Sequence, residues 1–176
     1  MKKIYIILMH THTIPSRLVK ILTFSKYTHV AISLDKSCNT IYSLGRKNFN
    51  SILHGGFSIQ EKNGKFFNKF NNTICKIFEI EVSDKQYYAI SNIIDDMIFC
   101  SDKYKYDFLG AVIRYFRIPV SCKNKYVCSS FIAYLLENSN VYKFNKKTCF
   151  VQPKDFEYIS SFKEIYTGVY RLYCDM

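Results

Sequence analysis

The chain has 176 residues, 48% of them apolar and 22% charged, which is enough for one sizeable core and excludes a disordered or fibrous protein. Its net charge of +11 and pI of about 9.3 suit an anionic partner. The lysines are scattered, however, with no block of five, so a nucleic-acid partner is not expected.

In chain order, Ile4–Met9 is a continuous apolar run that fits a buried strand. Pro15 opens a helical stretch in which Leu18, Ile21 and Leu22 recur at helix spacing. From Thr28 to Leu34 the chain alternates, with Val30, Ile32 and Leu34 on one face and His29, Ala31 and Ser33 on the other. Residues 35–39 supply a turn, and Thr40–Leu44 returns as the second strand of a hairpin. Residues 46–70, with Gly55, Gly56 and Gly64, read as a long loop holding at most a short strand near Phe57–Ile59.

Ile74–Val82 is the next strand. Ser83 to Gln86 forms a capping box that opens a helix over 84–100, with Tyr87, Ile90, Ile94 and Met97 or Ile98 on its apolar face. Helices are expected over 106–116, 128–137 and 153–159, and a last strand over 165–173. Strands and helices do not alternate regularly. The expected class is therefore α+β, an antiparallel sheet packed against helices, in a single domain over 1–176.

Seven cysteines, with no CxxC pair, argue against a disulfide framework and a structural zinc site. Most are expected to be small buried residues in a reducing compartment. The six-residue apolar run after Met1-Lys2-Lys3 is too short for a signal core, and no stretch is long enough to span a membrane. A soluble, cytoplasmic protein is expected.

Cys128 opens a helix whose Phe131, Ile132 and Leu135 share its face. The unpaired N–H groups of a helix start favour a thiolate and lower a cysteine pKa. His29 begins a strand and could deprotonate a thiol. Taken singly, each is more simply a core cysteine and a satisfied histidine. A zinc site from His10, His12 and His29 lacks a placed third ligand, so no metal or cofactor is expected. His54-Gly55-Gly56 without a GxSxG elbow is not a lipase oxyanion loop. Asp95-Asp96 diverge on a helix and form a solvated face.

Together, Tyr27-Thr28-His29-Val30-Ala31-Ile32-Ser33-Leu34-Asp35 and Val127-Cys128-Ser129-Ser130-Phe131-Ile132-Ala133 resemble the histidine strand and nucleophile helix of the permuted NlpC/P60 proteins, the YiiX/YaeF-like and lecithin:retinol acyltransferase-like group. The order, histidine before cysteine, is also that of this group. The resemblance implies a circularly permuted papain-like fold. It implies a cysteine hydrolase or acyltransferase that cleaves an amide, ester or thioester through a Cys128 acyl-enzyme, with His29 as general base. It places the imidazole-orienting residue on the following strand, where Ser43 best matches. The group usually has His, Glu or Asp there; a hydroxyl adds no negative charge, so the imidazolium is less stabilised. The expected partner is a small-molecule, peptide or lipid acyl substrate, and the basic charge suits an anionic one. The alternative is a catalytically inactive ligand-binding module on the same fold.

Overall fold

Strand β1 (Lys2–His10) is flanked in the sheet by β2 (His29–Ser33) and β5 (Ile74–Val82), both antiparallel to it. The computed structural model describes residues 1–11, 20, 25–46, 55–101, 104–107, 110 and 125–174. β1 reads as a continuous apolar run because both its faces are covered. Ile4, Ile6 and Leu8 join the core beneath the helices, whereas Tyr5, Ile7 and Met9 join a smaller core on the far face.

The remaining strands are β3 (Thr40–Arg46), β4 (Gly55–Glu61), β6 (Lys105–Tyr106), β7 (Lys125–Tyr126) and β8 (Lys163–Val169). Their order is β7-β6-β4-β3-β2-β1-β5-β8. Six strands, from β4 to β8, are antiparallel throughout; the two-residue β6 and β7 extend one edge and pair parallel to each other. The expected α+β class with an antiparallel sheet is therefore observed.

Helix α1 (Lys65–Lys69) buries Phe67 on the far face. Helix α2 (Asp84–Phe99) begins at the Ser83–Gln86 capping box and buries Ile90, Ile94 and Met97, the stripe read from its periodicity. Helix α3 (Cys128–Asn138) lies on the same side of the sheet, with Phe131, Ile132 and Leu135 fully buried. No helix among the described residues is long and apolar enough to cross a membrane.

Several boundaries differ from expectation. The expected loop over 46–70 contains a seven-residue strand, paired with β3 from Thr40↔Glu61 to Arg46↔Gly55, and then α1. Gly55 is a strand glycine at a close approach: a Cβ there would lie 2.5 Å from Tyr106 Cβ. Tyr106, expected to start a helix, instead belongs to β6, where neighbouring Lys105 pairs with Gly56 on the β4 edge. The rest of that expected helix, except Asp107 and Gly110, lies outside the described residues, as does the stretch after Pro15 except Lys20. β8 starts two residues early and ends at Val169. The chain then turns because Tyr170 is drawn into the far core, its ring against Phe67 and its hydroxyl donating to the Cys38 carbonyl at 2.6 Å. Of the six described cysteines, all free, only Cys38, Cys75 and Cys128 are buried; Cys174 is exposed and Cys122 lies outside the described residues.

Gly55 gives a direct test of the β4–β6 contact. Gly55→Ala is expected to lose about 1–3 kcal/mol in urea unfolding, because backbone-anchored Tyr106 Cβ must move. Gly45→Ala, whose Cβ would meet only His29 Cε1 at 3.6 Å, is expected to unfold close to wild type. Equal losses at both positions would contradict the packing described.

The far face also buries Lys62, which is 6% exposed. Its Nζ donates to the carbonyls of Ser37 and, at 3.0 Å, Tyr173, and lies 5.0 Å from the Tyr173 ring centre.

Candidate active site

Helix α3 starts without a side-chain cap. Val127 holds the N-cap position in extended geometry and has no side-chain oxygen to offer the first-turn N–H groups. Ser130 Oγ instead accepts from the Val127 N–H at 3.0 Å and donates to the Val127 carbonyl at 3.1 Å. The N–H groups of Cys128 and Ser129 are left facing the Cys128 sulfur, and the Val30 N–H of β2 joins them. Cys128 is 5% exposed. Burial pushes its thiol up to about 11, while the three N–H groups oppose that rise. The expected lowering by the helix start is thus overturned, because desolvation outweighs the helix terminus.

His29 immediately precedes Val30, so the two expected catalytic residues come from adjoining parts of β2 and α3. At this end β2 is irregular. His29 is the register partner of Met9, yet the Thr28 N–H also donates to the Met9 carbonyl at 2.9 Å. Two residues against one is the arrangement of a bulge, which re-aims side chains next to it. Consistently, Tyr27 and Val30 both enter the helix-side core, although strict alternation would send them to opposite faces. Pairing between β2 and β3 is confined to Ile32↔Tyr42.

The His29 imidazole is partly buried, and desolvation lowers it to about 4. It rests near Gly45, and no hydrogen bond joins it to Cys128 or Ser43 among the described residues. At neutral pH the resting pair is therefore a thiol and a neutral imidazole, not an ion pair. Ser43, the expected orienter, is fully buried but shares its hydroxyl with Ser58 Oγ at 3.3 Å. The β3 residue beside His29 is Gly45.

His10, on β1, is buried with Nδ1 3.4 Å from Thr28 Oγ1. His12 and His54 lie outside the described residues. Among the described residues no cluster of three His, Cys, Asp or Glu side chains could hold a metal ion.

Two contributors escaped the sequence reading. Ser129 Oγ donates to the Val151 carbonyl at 2.5 Å and ties the start of α3 to the segment that follows it. The Val30 N–H acts through its backbone, which no residue type announces. Val127 did carry a signal: an apolar residue stands where Ser, Thr, Asp or Asn normally caps. No family model, curated protein or solved structure matches the chain.

Proposed function

We propose that the chain is a cysteine hydrolase or acyltransferase of circularly permuted papain-like architecture, acting on an amide, ester or thioester. The observation that carries this reading is the surroundings of Cys128: a sulfur at an uncapped helix start, flanked by three backbone N–H groups, one belonging to the residue after His29.

Cys128 is the nucleophile. On substrate binding, His29 takes the thiol proton and the sulfur attacks the acyl carbonyl. The N–H groups of Cys128 and Ser129 then donate to the developing oxyanion. Collapse expels the leaving group, which receives the proton from His29, and water or another acceptor releases the acyl group. Because the imidazole is neutral at rest, it is ready to act as a base. Six free thiols among the described residues suit a reducing, cytoplasmic setting.

Incubation with p-nitrophenyl acetate, followed by peptide mass spectrometry, tests the reading. Acetyl label is expected on Cys128, absent in Cys128→Ala, and to form at least about 100-fold more slowly in His29→Ala. Equal labelling of Cys128 and exposed Cys174 would reject it.

The alternative is a catalytically inactive binding module on the same fold. It is favoured by the absence of a hydrogen bond between His29 and either Cys128 or Ser43 among the described residues. It predicts that His29→Ala leaves labelling unchanged.

A further inference from the structure

His10 ends β1 as a buried side chain, 2% exposed, and no metal cluster forms around it among the described residues. β1 pairs with β5 without a shift as far as His10↔Ile74. Alternation therefore places His10 in the row of Ile4, Ile6 and Leu8, beneath the helices and on the Cys128 side of the sheet.

Thr28, the residue before His29, is held at two points by consecutive residues of β1. Its N–H donates to the Met9 carbonyl at 2.9 Å, and its hydroxyl shares a hydrogen bond with His10 Nδ1 at 3.4 Å. Just upstream, Ser25 Oγ donates to the Tyr27 carbonyl at 2.8 Å. The β3 side of β2 offers no such fastening. Its backbone pairing among the described residues is limited to Ile32↔Tyr42, beyond His29, and Gly45 brings no side chain against the imidazole. The backbone that aims His29 is thus fixed from β1. It is fixed at a bulge, where an extra residue bends and twists the strand.

We infer that His10 and Thr28 form a positioning pair for His29. Their bond sets the rotation of the bulge, and with it the direction in which the His29 side chain leaves β2. This inference rests on the thiol chemistry proposed above. It gives that chemistry a source of aim that Ser43, shared with Ser58, does not supply. A base displaced by about 1 Å loses about 100-fold in rate, so losing one of the two fastenings is expected to cost about tenfold.

Acetylation of Cys128 by p-nitrophenyl acetate, read by peptide mass spectrometry, tests the pair in a double-mutant cycle with His29. Thr28→Val keeps the branched shape and removes the hydroxyl. It is expected to slow acetylation about tenfold when His29 is present, and less than about twofold in a His29→Ala background. His10→Ala is expected to behave alike. Thr28→Ser keeps the oxygen, and His10→Asn keeps a polar atom at the Nδ1 position. Both are expected to stay within about threefold of wild type. Thr28→Val and His10→Ala rates equal to wild type, or slowed equally with and without His29, overturn the positioning pair. So does slowing that the two conservative variants share, because it follows from repacking and not from the bond. In each of these cases the His29 dependence of the otherwise wild-type protein keeps the thiol reading. Acetylation of Cys128 that ignores His29→Ala overturns the thiol reading and the positioning pair with it.

Discussion

Alkylation of Cys128 by iodoacetamide accelerates close to tenfold for each pH unit between about pH 7 and pH 10, because its thiol ionises only near 11. Below that value each unit of pH multiplies the thiolate fraction by ten, so the interval spans about a thousandfold in rate. The direction follows from burial. The sulfur loses water on entering the core, and three backbone N–H groups return only part of that solvation. A cysteine ion-paired with an imidazolium behaves differently, its rate being flat from mildly acid pH upward. The two profiles diverge most at pH 5–7, where site-resolved mass spectrometry separates them. A flat profile at Cys128 would show that the thiol and imidazole exchange their proton at rest.

The second large effect is on stability in acid. His29 titrates near 4 in the folded chain, against about 6.5 for an ordinary imidazole. Between those values the unfolded chain binds a proton that the folded chain refuses. The contribution is therefore fully present above about pH 6.5 and is lost as pH falls toward 4, reaching about 3 kcal/mol. Urea unfolding at pH 7 and pH 4.5 measures it. His29→Gln, which cannot take up the proton, is expected to lose about 2–3 kcal/mol less than wild type over that interval. Parallel losses in the two proteins would mean that the imidazole is hydrated in the folded state.

The sequence disclosed the elements whose own residues decide them. Ile74–Val82 and the helix begun by Ser83 stand where their patterns put them, because alternation and a capping box are local. The start of α3 was legible from Cys128 and its apolar stripe for the same reason. Pattern failed where a distant partner decides the outcome. Gly55 and Gly56 carry loop chemistry, yet the β3 edge recruits them into a strand. Tyr106 joins β6 through its neighbour's pairing with Gly56. The site divides along the same line. Cys128 and His29 were readable as residue types in order, and the structure sets them on adjoining parts of α3 and β2. Ser43 was chosen from its place in a strand, and its hydroxyl is engaged by Ser58, a neighbour that only the β3–β4 register could reveal.

The fastening of Lys62 gives the two faces of the sheet different sensitivities. Its described hydrogen-bond acceptors are the carbonyls of Ser37 and Tyr173, groups that carry no ionisable proton. Neither acidification through the carboxylate range nor added salt weakens those acceptors as it weakens a surface ion pair. The turn that joins β2 to β3 and the 3₁₀ turn after β8 therefore stay clasped to each other under conditions that charge His29 at the opposite end of β2. Acid is therefore expected to loosen this hairpin from its His29 end, while the Lys62 end stays fastened.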